Sequence, residues 1–407
     1  MRGTAVDEAR PTPADPAADD PGAGSAYAEA VVDLGAIARN TAVLAEHAGS
    51  AALMAVVKAD GFGHGALPVA RTALAHGASW LGVTSTAEAL RLREAGIDAP
   101  MLSWMHLPGE DFTPALRAEV DLAVPSLAHL AGLAASAERA GLPAAVHLKV
   151  DTGLHRGGAS PADWPLLVEA ARTFERQGLL RVRGLWSHLV HADRPDHPGT
   201  DEQIRAFEAA VALAHRAGLR PDLLHLANSG AGLASPRTRY DLVRAGIGLY
   251  GVEPVHGQQY GLRPAMTLRA RAIMARRVPA GEGVSYGHEY TTGRPTGLLL
   301  VPVGFADGVP RAAGGRARMW VAGDRRPVAG RIAMDQCVVD SGDAAVAIGE
   351  EVVVFGPGDR GEPTAADWAD WAATNPHEIL TGVGPRVPRR YLPAPAGRID
   401  EEDSVRD

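Results

Sequence analysis

Eight short apolar runs alternate with longer helix-like segments between about residue 51 and residue 251, a pattern that few folds can accommodate. The runs are LMAVVK, WLGVTS, PMLSW, VDLAVPS, AVHLKVD, VRGLWSHL, LLHLANS and DLVRAGIGLYG. The clearest helix between them starts with Ser85 and Glu88, which form a capping-box pair, and stops at Gly96. Eight strand-helix units in about 200 residues predict a (β/α)8 barrel. A doubly wound sheet is the alternative, but it usually has fewer strands and requires a reversal in strand order.

The composition changes near residue 266. Segments such as GLLLVPVGFADG and EEVVVFGPGD are β-rich and broken by Gly and Asp, and a helical period recurs only weakly in 364–373. We therefore predict a barrel domain over 27–265 and a separate, mostly-β domain over 266–395. Residues 1–26 are rich in Pro, Ala and Asp and have no apolar core segment, so they and residues 396–407 are predicted to be disordered tails.

Composition also excludes several partners and kinds of site. The 407-residue chain has a formal net charge of -8 and no basic run, which argues against a nucleic-acid or anionic-membrane partner. It has no apolar stretch of roughly 18 residues and no secretory signal, so we expect no transmembrane helix and a cytoplasmic location. The single cysteine, Cys337, is interpreted as a small core residue on a strand. The 15 histidines show no metal-ligand spacing, so no catalytic metal is expected.

Polar side chains stand at the C-terminal ends of the apolar runs, where (β/α)8 barrels place their active sites. They are Lys58, Lys149, Asp151, Arg156, His188, Asn228, Ser229 and Arg244, and Gly246 and Ile247 lie in or just after the eighth run. The loops after the last two strands of such barrels commonly bind phosphate. The Ser229 hydroxyl and the Gly246 backbone suit that role, so the pattern predicts a phosphate-bearing ligand near a lysine.

Lys58 and Lys149 are the only lysines among the 40 Lys plus Arg residues. An amine acts as a nucleophile or loses its proton near neutral pH when its surroundings lower its pKa, and a guanidinium does neither. The alternative without a catalytic role is that Lys58 is a surface lysine whose aliphatic stem covers apolar side chains. Its rarity and its position at a strand end favour a catalytic role.

Eight longer motifs follow one another between Ala28 and Tyr391. They are AVVKADGFGHG, HLKVDTGLHRGG, HLANSG, DLVRAGIGLYG, GEGVSYG, VGFADGVPR, GRIAMDQ and GVGPRVPRRY. Together they resemble the alanine racemase family, the fold-type-III pyridoxal-phosphate enzymes. The resemblance implies pyridoxal 5'-phosphate as cofactor, L- and D-alanine as substrates, and a homodimer with shared active sites.

The resemblance also implies roles for single residues. Lys58 is similar to the lysine that binds the cofactor covalently and serves as one base. Tyr286 is similar to the tyrosine that the second subunit supplies as the other base, although the motif alone would also suit an ordinary tyrosine packed in a turn. Arg244 resembles the arginine that faces the pyridine nitrogen, and His188 the histidine between that arginine and the tyrosine.

Further residues match the family's binding positions. Phosphate contacts and an adjacent site position are matched by Ser229, Gly246, Ile247 and Asn228. Arg156 resembles the arginine near the phenolic oxygen and the substrate, and Met334 the residue whose backbone amide meets the substrate carboxylate from the partner chain. Lys149 resembles the lysine that is carbamylated in some members, and a purely structural cation is an equally weighted interpretation.

Three positions depart from the family pattern, because Phe62, Phe305 and His377 stand where tyrosine is usual. The tyrosines at the first and third positions bond the cofactor phosphate, and those at the second and third line the substrate passage. Phe62 removes a donor whose charge-assisted bond is worth about 1.5–3 kcal/mol, whereas His377 still donates. The alternatives are therefore a racemase specialised for another amino acid, or a cofactor-binding protein without useful racemase activity. A decarboxylase is a weaker alternative. Decarboxylases of this fold type usually offer a cysteine from the β domain, and Cys337 lies within a strand run.

Overall fold

The computed structural model describes residues 27–394. The predicted disordered tails, 1–26 and 396–407, lie outside this range. No helix within 27–394 is long and apolar enough to cross a membrane.

The predicted barrel is confirmed by a sheet of eight parallel strands. They are β2 (Ala52–Val56), β3 (Trp80–Val83), β4 (Met101–Ser103), β5 (Asp121–Val124), β6 (Ala144–Lys149), β7 (Leu180–Trp186), β8 (Leu223–His225) and β9 (Leu242–Ala245). Their order in the sheet is β8-β7-β6-β5-β4-β3-β2-β9. A parallel bridge between Asn228 and Arg244 joins the two edges, so the sheet curls into a nearly closed barrel.

Helices surround the strands. They span Leu34–Ala48, Ala66–Ala75, Thr86–Glu94, Thr113–Arg117, Leu127–Ala140, Trp164–Arg176, Pro198–Arg216 and Ser229–Ala234. The predicted capping box is present, because the Glu88 N–H donates to Ser85 Oγ and the Glu88 carboxylate accepts from the Ser85 N–H. Each helix covers apolar strand residues, which leaves the C-terminal strand ends open for a site.

The second domain is mostly β, as predicted. Its strands are β10 (Met266–Arg271), β11 (Met274–Val278), β12 (Gly283–Val284), β13 (Tyr290–Thr291), β14 (Thr296–Val301), β15 (Arg318–Val321), β16 (Asp324–Pro327), β17 (Cys337–Gly342), β18 (Glu351–Phe355) and β19 (Arg389–Leu392). Two helices, Ala365–Ala372 and Pro376–Gly382, pack beside them. Cys337 is buried at the start of β17, and burial raises the pKa of its thiol to about 12, in agreement with a core role.

One strand belongs to the second domain and not, as predicted, to the barrel domain. β1 (Ala28–Asp33) was placed in the barrel domain, but it pairs with β10 and β19 in the six-stranded sheet of the second domain, in the order β16-β15-β18-β10-β1-β19. Ala28, Ala30, Val31 and Val32 are buried in this sheet, where the strand pairs antiparallel with β10 and parallel with β19. Within residues 27–394 the chain therefore runs from the sheet of the second domain into the barrel and returns to that sheet.

Candidate active site

Lys58 comes two residues after the end of β2 and lies half-buried at the open end of the barrel. Its Nζ is 5.9 Å from the ring centroids of Phe62 and Trp104. Burial, and secondly the positive charge of Arg156, lower the pKa of the Lys58 amine, and the Glu88 carboxylate opposes this shift. The amine is therefore biased towards its neutral, nucleophilic form.

The chain after Lys58 forms a left-handed turn that sequence reasoning did not detect. Five consecutive residues have φ between 51° and 78°: Ala59, Asp60, Gly61, Phe62 and Gly63. Left-handed helical conformation costs roughly 1–2 kcal/mol per residue that has a Cβ, and such strain concentrates at functional sites. Only Gly61 and Gly63 of the five adopt positive φ without this cost.

Glu88 stabilises the entry to this turn. One of its carboxylate oxygens accepts from the Ala59 N–H at 2.8 Å, and the other accepts from the Thr84 N–H at 2.7 Å. The capping-box glutamate thus joins the loops that follow β2 and β3, and it fixes the residue next to Lys58. The sequence marked Glu88 as a helix cap but gave no sign of this second contact.

Two positively charged side chains lie against the ring of Trp186. Lys149 Nζ lies 4.6 Å from the ring centroid of Trp186, and the Arg244 guanidinium lies 5.0 Å from the same ring. Burial and the neighbouring Arg244 and Arg156 charges lower the pKa of Lys149 to about 8. Asp151 opposes that shift. Such a cluster of cations suits an anionic ligand.

Arg244 is the most deeply buried of these cations, with 4% of its surface exposed. Its Nη2 donates to the carbonyl oxygens of Ser187 at 2.8 Å and Leu226 at 3.1 Å, and lies 3.4 Å from His188 Nδ1. Burial and then the charges of Arg244 and Arg156 lower the pKa of His188 to about 3. His188 is consequently neutral at pH 7 and acts through hydrogen bonds, not through charge.

The predicted phosphate residues also lie together. Ser229 Oγ accepts from the Gly246 N–H at 2.8 Å and from the Gly248 N–H at 3.2 Å. The Asn228 side chain caps the helix Ser229–Ala234, and Ile247 starts the following 3-10 turn. A hydroxyl and backbone N–H groups therefore converge at one point on the barrel rim.

Two of the departures from the family pattern border this point. Phe62 is buried, and its Cζ lies 3.4 Å from the position that a Cβ on Gly246 would take. The ring centroids of Phe62 and His377 are 5.9 Å apart. Burial, followed by the Lys58 charge, lowers the pKa of His377. Phe62 of the barrel therefore lies next to Gly246 and next to His377, which belongs to the helix Pro376–Gly382 of the second domain.

Three further predicted residues remain apart from this cluster. Tyr286, Met334 and Phe305 lie on the second domain, and 69%, 58% and 42% of their surfaces are exposed. Hydrogen bonds connect their loops, because Ser285 Oγ donates to the Arg331 carbonyl at 2.7 Å and the Ala306 N–H donates to the Met334 carbonyl at 2.8 Å. We name these three residues the exposed triplet. Within one chain they form a surface, not a part of the barrel pocket.

Comparison with known proteins identifies the family. The sequence profile of the alanine racemase N-terminal domain matches residues 32–254, and that of the alanine racemase C-terminal domain matches residues 265–391. The chain belongs to the alanine racemase family. Alanine racemase of Thermobifida fusca (strain YX) is 53% identical over 371 residues, which are 91% of this chain and 99% of that protein.

Solved alanine racemases share the fold. That of the D-cycloserine-producing Streptomyces lavendulae has a TM-score of 0.89 and 47% identity, over 91% of this chain and 98% of that chain. That of Bartonella henselae, which has covalently bound pyridoxal phosphate, has a TM-score of 0.82 at 27% identity, over 90% of this chain and 100% of that chain. The predicted family, fold, cofactor and alanine racemase class are confirmed.

The residues present in this chain fit pyridoxal phosphate. The phosphate would meet Ser229 and the backbone of Gly246 and Ile247, and the aldehyde would meet the Lys58 amine. Lys149, Arg156 and Arg244 would balance the negative charges of the cofactor and of a substrate carboxylate. No group of three His, Cys, Asp or Glu side chains within 27–394 is arranged to hold a metal ion. The absence of a catalytic metal stays a prediction.

Proposed function

We propose that the chain interconverts L- and D-alanine with two bases, Lys58 on one face of the substrate and Tyr286 of the partner subunit on the other. The observation that carries the proposal is the half-buried Lys58 amine beside a cluster of cations at the open end of the barrel. A lowered pKa increases the neutral fraction of the amine near pH 7. This is the form that attacks an aldehyde and accepts a proton.

The residues would divide the work as follows. Bound pyridoxal phosphate supplies an electron sink that stabilises the carbanion left when the α-proton is removed. Lys58 holds the cofactor and, when the substrate releases it, takes or returns a proton at Nζ. Arg156 and the Met334 backbone amide of the partner subunit hold the substrate carboxylate. Arg244 only donates, so it leaves the ring nitrogen unprotonated and the sink weak, which favours racemisation over transamination.

Tyr286 needs help to act as a base, because a free phenol has a pKa near 10. Positive charges and hydrogen bonds to the phenolate lower that value. Arg156 and Arg244 would supply the charge, and the neutral His188 would supply a hydrogen bond. This refines the role of His188, since an imidazole whose pKa is about 3 has no positive charge to offer at pH 7.

A homodimer with shared sites follows from the position of the exposed triplet. Exposed apolar side chains that lie together mark interaction surfaces. The backbone beside Tyr286 is strained, with φ of 64° at Ser285 and 48° at His288, which is a common property of functional loops. We infer that this surface covers the open barrel end of a second copy. The predicted cytoplasmic location stays a prediction.

Mixed dimers test the shared site. Neither Lys58→Ala nor Tyr286→Ala should racemise alanine alone. Mixing the two chains under conditions that exchange subunits should restore part of the wild-type rate, because one of the two sites in each mixed dimer receives both native residues. Failure of this rescue, with mixed dimers shown by native mass spectrometry, would count against the shared site.

A panel of amino acids tests the substrate. Purified protein with pyridoxal phosphate should exchange the α-proton of alanine in heavy water faster than that of any larger or polar amino acid. The second candidate is a racemase specialised for another amino acid, which Phe305 and His377 favour because they change the polarity of the passage. Exchange with serine or a larger amino acid, but not with alanine, would support that candidate instead.

A further inference from the structure

The barrel core contains a chain of buried polar side chains that the proposed reaction does not use. Arg244 Nη1 lies 3.1 Å from His225 Nδ1, and His225 Nε2 lies 2.8 Å from His147 Nδ1. His147 Nε2 lies 2.9 Å from Asp121 Oδ2. All four residues are at most 4% exposed. The chain leads from the proposed cofactor site into the barrel interior, to the first residue of β5.

The hydrogen positions in this chain follow from its two ends. A guanidinium has only donors, so His225 Nδ1 must accept from Arg244. The neutral His225 ring then carries its proton on Nε2 and donates it to His147 Nδ1. His147 in turn carries its proton on Nε2 and donates to the Asp121 carboxylate. An additional proton on either ring would place two donors face to face, so both rings must stay neutral.

The surroundings agree with this arrangement. Burial and the Arg244 charge lower the pKa of His225 well below its usual value. The His225 ring stacks on Trp186, with centroids 5.5 Å apart and an angle of 6° between the planes. Arg183 Nη1 donates to both Asp121 oxygens, at 3.1 and 3.2 Å, which orients that carboxylate.

We propose that Asp121, His147 and His225 are positioning residues that hold Arg244 in one orientation, as a donor facing the cofactor ring. The hydrogen bonds found for Arg244 within residues 27–394 go to carbonyls and imidazoles and to no carboxylate. Asp121 supplies the negative charge from a distance, because polarised hydrogen bonds strengthen one another in a low-dielectric core. The inference rests on the proposed function, since it assigns Arg244 to the ring nitrogen.

The first experiment needs neither cofactor nor substrate. Nitrogen-15 NMR of histidine-labelled wild-type apoprotein at pH 7.5 should show His147 and His225 as neutral rings protonated on Nε2. A protonated ring, or a proton on Nδ1 of either residue, overturns the inference. The signals are assigned by their loss in His147→Gln and His225→Gln, and the wild-type protein alone decides this outcome.

The second experiment tests the effect on the site. Asp121→Asn keeps the shape, but its amide offers His147 either an acceptor or a donor, so the preference for one proton position is lost. The two rings should then show mixed tautomers, and the absorbance band of the bound cofactor should shift. The kcat for alanine should fall roughly tenfold, as expected when an outer partner of a ligand-holding side chain is removed, with KM little changed.

Thr41→Val is the matched control. Thr41 Oγ1 donates a buried hydrogen bond to the Ile37 carbonyl at 2.7 Å, and this helix takes no part in the row of polar side chains from Arg244 to Asp121. It should lower the melting temperature and leave kcat and the absorbance band unchanged. If Asp121→Asn behaves like Thr41→Val, the polar chain is only structural and the inference fails. A wild-type protein that does not racemise alanine defeats the proposed function instead, and the NMR result still decides the hydrogen-bond arrangement.

Discussion

The proposed site has two halves that differ in burial and in hydrogen bonding: the residues at the open barrel end, which we call the barrel half, and the exposed triplet. Arg244 is buried and its guanidinium is fixed by at least three hydrogen bonds, and Lys58 is followed by a turn that Glu88 secures. Tyr286, by contrast, is 69% exposed on a short 3-10 turn. The barrel half is therefore preorganised by one chain, whereas in the proposed shared site the exposed triplet would reach the reaction only in a dimer. Cofactor binding should depend on the first half, and proton transfer on both.

The largest effect should come from Lys58→Arg, which keeps the charge but removes the amine. Racemisation should fall by about 10⁴-fold or more, because both the covalent anchor and one base are lost. The matched control is Lys149→Arg, the same change at the only other lysine. Rates of L-to-D conversion, measured with the absorbance of the bound cofactor, separate the two. If the Lys58→Arg variant retained the wild-type rate, Lys58 would be neither the covalent anchor nor a base in the reaction.

Tyr286→Phe should act on the rate alone. Loss of a positioned base costs roughly 10²–10⁴-fold in kcat, whereas cofactor affinity should stay as in the wild type because the barrel holds the cofactor. The control is Tyr290→Phe in the same hairpin, whose hydroxyl donates to Asp340 at 2.6 Å and has a structural role. Equal losses in the two variants would mean that the hairpin matters only for stability and would contradict the division of the site.

Phe62→Tyr should strengthen cofactor binding at the barrel end. Its new hydroxyl extends from a carbon 3.4 Å from the Cβ position of Gly246, next to the predicted phosphate donors. One charge-assisted hydrogen bond is worth about 1.5–3 kcal/mol, so the Kd for pyridoxal phosphate should fall about tenfold or more. Phe305→Tyr, on the exposed triplet, is the control and should change the amino-acid preference without changing cofactor affinity. An unchanged Kd in Phe62→Tyr would show that this donor is not needed.

The barrel was predictable from the sequence because each strand is a short apolar run followed by a helical period, and chemistry in such barrels lies at the strand ends. Lys58, Ser229 and Arg244 were located by that rule. Strand β1 was assigned to the wrong side of the domain boundary, since a strand's period does not reveal its partner. The helix Pro376–Gly382 was also missed, because seven residues are too few for a visible helical period.

The rest of the site depends on contacts between distant segments. Nothing in the sequence singles out His225, because its link to Arg244 and His147 appears only when the segments around β6, β8 and β9 lie side by side. The left-handed turn after Lys58 was hidden for another reason. Ala59, Asp60 and Phe62 seldom adopt positive φ, so only the glycines hinted at it. Tertiary contacts override local preference at both places.

The smallest expected effect concerns stability and compares a histidine from each half. His64 lies buried in the barrel half, and burial lowers its pKa to about 4, although its Nδ1 bonds the Phe62 carbonyl at 2.9 Å. Between pH 6.5 and 4 the unfolded chain binds a proton at this residue and the folded chain does not. The stability that depends on neutral His64 is thus complete above pH 6.5 and falls as the pH decreases, by about 1.4 kcal/mol per pH unit.

Urea denaturation at pH values from 7 to 4.5 measures this slope. His64→Asn keeps a donor for the Phe62 carbonyl and cannot bind the proton. The slope of the free energy of unfolding against pH should therefore be smaller than in the wild type by about 1.4 kcal/mol per pH unit. His288→Asn, which changes an exposed side chain beside Tyr286, is the control for the substitution itself. Equal slopes in the wild type and in His64→Asn would mean that the folded chain protonates His64 as readily as the unfolded chain does. The barrel half would then open in solution far more readily than its buried contacts indicate, and the contrast between the two halves would be lost.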